Sequence, residues 1–178
     1  HMGSQTALVG QGAHWPDLAT YEAAPFDLEE VMTDDALRAA AGELELYARK
    51  QALYVEVGTG SAWTHENGER LCRFLVRSPG ALAMELLLEE VEVPVGATLR
   101  LLDLDGRELT PAIPLSLPHE IQESSTPMVL ADVVVVEYRQ PQNAPFVGHF
   151  VINGLAHTYR FLDQGQRKID RFTGQQRQ

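Results

Sequence analysis

Apolar and polar positions alternate with a period of two over much of the chain beyond residue 51. The stretch "ALYVEVG" (52–58) alternates and is β-branched, the pattern of a half-buried strand. "GTGS" (58–61) and "HENGE" (65–69) read as turns. "RLCRFLVR" (70–77) is strand-like again, and Ser78-Pro79-Gly80 stops it. "TLRLLDLDGREL" (98–109) predicts a hairpin, because Asp-Gly favours turns whose twist suits antiparallel strands. "MVLADVVVVEYR" (128–139) is the clearest strand. Val133 to Val136 are apolar on both faces, which predicts a central position. "FVGHFVING" (146–154) and "HTYRFL" (157–162) supply two more. Residues 110–127 hold four prolines and predict a long loop.

Helix signals are few. Thr33-Asp34-Asp35 opens a run of Ala and Leu, so a cap at Thr33 and a helix over 33–41 are expected, ended by Gly42. Upstream, residues 5–32 are irregular, broken by Gly10, Gly12, Pro16 and Pro25, with Trp15, Leu18, Tyr21 and Phe26 able to pack as a strap. Residues 82–93 fit two forms. Their Leu, Met, Ala and Glu favour helix, yet Leu82, Met84, Leu86 and Leu88 recur every second residue. The apolar phase then flips to Val91 and Val93 across Glu89-Glu90, as at a β-bulge. Short strands, turn punctuation and one short helix predict a mainly β fold, an antiparallel β-sandwich of jelly-roll or CUB-like kind. The expected division is a vector-derived scar at 1–4, an N-terminal extension with the helix at 5–50, the sandwich at 51–162 and a tail or linker at 163–178.

Composition narrows the function classes. The 178 residues carry 14 basic and 25 acidic side chains, a net charge of −11. Such a surface repels phosphate backbones and argues against a nucleic-acid partner. No run approaches the roughly 18 apolar residues of a membrane helix, so no membrane span is expected. Cys72, the one cysteine, excludes an internal disulfide and reads as a small buried hydrophobe.

The candidate chemistry is sparse. Neither G-x-S-x-G nor G-D-S-G-G occurs. Ser61 and Ser124-Ser125-Thr126 read as turn and loop residues. His14, His65, His119, His149 and His157 are scattered, with no metal-ligand spacing, and His119-Glu120 lies in the proline-rich loop. Asp103-x-Asp105-Gly106 opens like a calcium loop, but its sixth and twelfth positions would be Glu108 and Pro114, so the hairpin reading stands. Glu89 and Glu90 are adjacent and would point to opposite strand faces. No metal or cofactor is expected. Trp15, Trp63, Tyr138 and Phe146 are the candidate platforms if the sandwich binds sugar.

An ordered series carries a resemblance. Arg73-Phe74-Leu75-Val76-Arg77-Ser78-Pro79-Gly80-Ala81 is followed by the alternating segment. Val93-Pro94-Val95-Gly96-Ala97 and Leu99-Arg100-Leu101-Leu102-Asp103 come next. Further on come Val135-Val136-Glu137-Tyr138-Arg139-Gln140-Pro141 and His157-Thr158-Tyr159-Arg160-Phe161. Together these resemble the β-sandwich pro-region that precedes bacterial lysyl-endopeptidase-like, trypsin-family serine proteases. The likeness covers roughly 48–161. The chain departs from the family at Leu109-Thr110-Pro111-Ala112, at Ser125-Thr126-Pro127 and at Thr158. The resemblance implies that 82–93 is strand with its leucines in the core. It also implies a non-catalytic domain of a secreted or periplasmic protease, acting as folding aid, inhibitor or accessory recognition domain, with the catalytic domain in cis as partner. Arg167, Lys168 and Arg171 would then be candidate processing sites, in a basic tail that also holds Arg177. Two other readings stay open: a stand-alone sandwich module binding carbohydrate or protein, and an enzyme with an unrecognised site.

Overall fold

The computed structural model describes residues 8–9, 15, 17–58, 60–115 and 123–161. Among them are twelve strands and one helix in two sheets. The strands are β1 (Leu8–Val9), β2 (Ala19–Glu22), β3 (Ala48–Gln51), β4 (Val55–Val57), β5 (Thr64–Glu66) and β6 (Glu69–Arg77). They continue with β7 (Ala83–Glu92), β8 (Thr98–Leu102), β9 (Ile113–Pro114), β10 (Glu123–Ser125), β11 (Val133–Pro141) and β12 (His149–Thr158). The helix α1 spans Leu28–Ala40. One sheet runs β1-β2-β6-β11-β8-β9, with β5 also on β6; the other runs β10-β7-β12-β3, with β4 also on β12. The mainly β sandwich expected from the period-two pattern is what forms. One pairing departs from an antiparallel sandwich: β2 runs parallel to β6.

The inner faces meet in one core. Phe74, Val76, Leu99, Leu101, Val134, Val136 and Tyr138 from the first sheet pack against Met84, Leu86, Leu88, Phe150, Ile152 and Leu155 from the second. Burying each such side chain contributes about 1.5–3 kcal/mol. The strand reading of 82–93 holds over 83–92. Leu82 precedes the strand and is 44 % exposed, so it is not core.

The phase flip is a bulge. His149 pairs with Glu92 and Val151 with Glu89, so three steps along β7 match two along β12. The extra residue falls at Glu90, whose φ of +52° lies in the left-handed region. A compensating shift on β12, between Ile152 and Gly154, restores the register.

Strand β11 lies between β6 and β8. Its even-numbered residues face the core. On its outer face, Val135 packs with Leu75 and Leu102 in a second cluster, which Trp15, Leu18, Leu104 and Val133 cover in part. This outer layer explains why four consecutive valines suit the strand.

The helix begins earlier than Thr33 suggests. Asp27 is the cap, accepting from Glu30 N at 3.0 Å, and Glu29 and Glu30 occupy the first turn. Thr33 sits inside, its hydroxyl donating back to Glu29 O at 2.9 Å. The 110–127 loop contains β9 and β10. Ser124 and Ser125 lie in β10, and the buried Thr126 hydroxyl accepts from Leu86 N at 3.0 Å.

Candidate functional site

Three constellations concentrate polar chemistry on this frame. The first lies on the outer face of the larger sheet. Glu137 stands directly opposite Arg73 on β6 and Arg100 on β8. Its buried carboxylate accepts from Arg73 Nε (2.7 Å), Arg100 Nε and Nη2 (3.0 and 2.7 Å) and Arg139 Nε (2.8 Å). Burial alone would raise the Glu137 carboxyl. The hydrogen bonds from Arg139 and Arg73, with the Arg73 charge, outweigh it and hold the group below the usual carboxylate range. Each arginine has a second acid: Glu66 for Arg73, Glu108 for Arg100 and Glu69 for Arg139. The Trp15 ring stacks on Arg73, centroid to Cζ 5.1 Å. With every guanidinium paired, the ladder holds strands in register and leaves no free cation to grip an anionic ligand.

The second closes one end of the sandwich. Ser78 Oγ and His157 Nδ1 are 2.7 Å apart, both residues buried. Seventy-nine residues separate them in sequence. Ser and His at this distance resemble a nucleophile and its base. Here the Phe26 ring lies flat on the imidazole, 3.9 Å between centroids and 11° between planes. Burial pushes the His157 pKa down, favouring the neutral ring. The pair ties the turn after β6 to the end of β12. It thus joins Arg77-Ser78-Pro79-Gly80 to His157-Thr158-Tyr159-Arg160, two of the segments that carry the family resemblance.

The third is a cleft of about 760 Å³ between β2, β4 and β6, lined by Trp15, Tyr21, Glu56, Ser61, Cys72 and Phe74 among others. Burial pushes the Cys72 thiol up, against a smaller opposing hydrogen bond with Ser61, so the thiolate that nucleophilic chemistry needs is disfavoured. Ser61 Oγ accepts from Gly58 N at 3.0 Å, as a turn serine does.

The other candidates separate. Asp103 Oδ1 accepts from Asp105 N (2.9 Å) and Arg107 N (2.8 Å), closing the turn it was expected to close. Among the described residues, no group of three or more His, Cys, Asp and Glu side chains could hold a metal. Glu89 hydrogen-bonds Asn153, while Glu90 forms the bulge. Of the aromatic platforms, Trp63 packs against the fully buried Tyr138, Trp15 stacks on Arg73, and Phe146 is half exposed. His65 lies on β5 and His149 on β12, far apart in topology. His14, His119, Arg167, Lys168, Arg171 and Arg177 lie outside the described residues. No helix among the described residues is long and apolar enough to cross a membrane.

No protein-family model matches the chain, and no curated protein matches it. One solved structure with some likeness is Arthrobacter globiformis T6 isomalto-dextranase complexed with panose. It shares 10 % identity and a TM-score of 0.29, covering 62 % of this chain and 23 % of its own. The chain thus spans about a quarter of that protein's length, and a likeness this distant carries no argument about fold or function.

Proposed function

We propose that the chain is a non-catalytic β-sandwich module of a secreted or periplasmic trypsin-like serine protease. Its partner is the catalytic domain in the same polypeptide, which it binds as a folding aid, inhibitor or accessory recognition domain. The observation that carries this reading is the meeting of the resembling segments at constrained points of the fold. Ser78 and His157 touch. Pro94 and Ala97 close a turn, Ala97 N donating to Pro94 O at 3.1 Å. Glu137 is the buried centre of the arginine ladder.

Two features suit a binding role. The serine–histidine pair and the cysteine are both used in packing. Beside the Ser78 turn, three apolar side chains face outward: Leu82, Met128 (50 % exposed) and Leu130 (71 %). Leu82 N donates to Thr158 O, and the Thr158 hydroxyl approaches the Met128 sulfur, so Leu82 and Met128 flank one strand end. Apolar contact there would supply binding energy to a partner domain.

The test has two steps. Reading the gene beyond Gln178 should reveal a Gly-Asp-Ser-Gly-Gly segment in the same frame. Added at micromolar concentration to that mature catalytic domain, the purified module should slow cleavage of a small substrate or raise the yield of refolded protease. A stop codon with no protease encoded nearby, or unchanged cleavage and refolding, would overturn the proposal.

A further inference from the structure

The segment between β2 and β3 is attached in an unusual way. No residue of α1 is buried, and Leu37 is 68 % exposed. An isolated helix of about 13 residues is marginal in water and normally relies on an apolar face packed against the protein. Here the attachment is polar and converges on Asp35. Arg49 Nη2 lies 2.6 Å from Asp34 Oδ2 and from Asp35 Oδ1. The Tyr159 hydroxyl donates to Asp35 Oδ2 at 2.6 Å, and Arg160 pairs with both Asp35 and Glu45. Immediately before the helix, Phe26 covers His157 and leans on Tyr159, ring centroids 5.5 Å apart. Thus one ion cluster holds the helix, and the helix's leading end holds the cover on the Ser78–His157 tie.

We propose that residues 25–45 form a releasable strap, in which α1, latched through Asp35 to Arg49, Tyr159 and Arg160, keeps Phe26 closed over His157, the partner of Ser78. The inference is independent of the proposed function. Salt should open the strap, because the Debye length shrinks from about 10 Å at 0.1 M to about 3 Å at 1 M while the core contacts are apolar. Acid should open it as well. The groups facing His157 and the latch are Ser78, Arg49 across on β3, Asp34 and Asp35 on α1, Glu45, Tyr159 and Arg160. His157 is held below its ordinary value by burial. The closed state therefore binds fewer protons than the open one, and closure weakens as pH falls below the ordinary histidine value of 6.5. For Asp35, burial raises the carboxyl, but the hydrogen bonds from Tyr159 and Arg49 and the Arg160 charge lower it overall. Its contribution is present above the ordinary 3.8 and is lost as pH falls through the lowered value. Histidine thus acts first on acidification and the carboxylate later.

Native-state amide hydrogen exchange on the whole chain tests this. Protection of the α1 amides should fall by about tenfold or more between 0.05 and 1 M NaCl, and should also fall between pH 7.5 and 5, while β11 stays protected. Asp35→Asn should produce the same loss at low salt with little change in core melting, and His157 should titrate closer to 6.5 in that variant. An α1 unprotected at low salt, indifferent to salt and to Asp35→Asn, or exchanging in step with β11 would overturn the strap.

Discussion

Replacing Glu137 with Gln removes one negative charge from the centre of three guanidinium groups and keeps the side-chain volume. In the folded protein that carboxylate has no solvent exposure and accepts four N–H groups. Deleting one partner of a fully buried ion pair costs about 3–5 kcal/mol. The three arginines are each 22–26 % exposed and retain Glu66, Glu108 and Glu69. Solvent and those acids offset part of the loss, leaving about 2–3 kcal/mol. At about 2–4 °C per kcal/mol for a chain of this length, the melting midpoint should fall by about 4–12 °C. Urea unfolding should show a lower midpoint at an unchanged slope. Glu108→Gln is the control, since Glu108 is 54 % exposed and touches one arginine of the ladder. Its effect should stay within about 0.5 kcal/mol. The carboxyl of Glu137 is held below the ordinary 4.5, so its contribution is complete above that value and is lost as pH falls through the lowered one. Glu137→Gln should therefore flatten the fall of stability below pH 4.5. A Glu137→Gln protein within about 0.5 kcal/mol of the parent, with the parent's acid profile, would refute the buried ladder.

Two further outcomes follow from local geometry. A methyl group at Gly148 would overlap the Tyr138 hydroxyl and come within 3.2 Å of Gln140 Oε1, where that oxygen accepts from both Tyr138 and Gly148 N. Gly148→Ala should cost about 2–3 kcal/mol in urea unfolding, and an effect under about 0.5 kcal/mol would mean that the Tyr138–Gln140 pair is free to move. Burial raises the Cys72 thiol, so a thiol-specific reagent at pH 8 should react at least about tenfold slower with the folded than with the unfolded protein; equal rates would place Cys72 at the surface.

Strands β4, β6, β8 and β11 were legible because a face that is half buried imposes a period of two, and the bulge was legible because an extra residue must reverse the apolar phase; the short β1, β3, β9 and β10 carry no such period. Glu89-Glu90 marked the spot, and the extra residue is Glu90. The helix start was misplaced for a local reason. Asp27 and Thr33 both carry a cap-forming oxygen and both precede two acids, so either could open the helix, and the cap is six residues earlier than Thr33. Glu30, three residues after Asp27, was the signal for the true cap. The parallel strand β2 was not legible. Ala19–Glu22 has too few residues to show a period, and its partner strand lies far along the chain, with Thr20 opposite Leu75. The Ser78–His157 contact was hidden because it joins opposite sheets.

Glu137 shows what kind of signal a sequence carries about its own pairing. An acid inside Val-Val-Val-Val-Glu-Tyr-Arg, in the most apolar strand of the chain, must meet cations if that strand is central. Arg73 lies between Leu71 and Leu75 on its strand face, and Arg100 between Thr98 and Leu102. In the fold, a slip of one residue between β6 and β11 would set Glu137 against Cys72 or Phe74, which face the opposite layer. A slip of two would keep the face but place Glu137 beside Leu71 or Leu75, separating the buried charge from its opposite arginine. The same slip would set Val135 against Arg73 or Arg77, so it breaks the apolar row Leu75–Val135–Leu102 as well. The ladder Arg73–Glu137–Arg100 carries the larger penalty, because a buried carboxylate without its cations costs several kcal/mol. The charged and apolar rows therefore specify the same register, and the buried carboxylate sets the steeper penalty for leaving it.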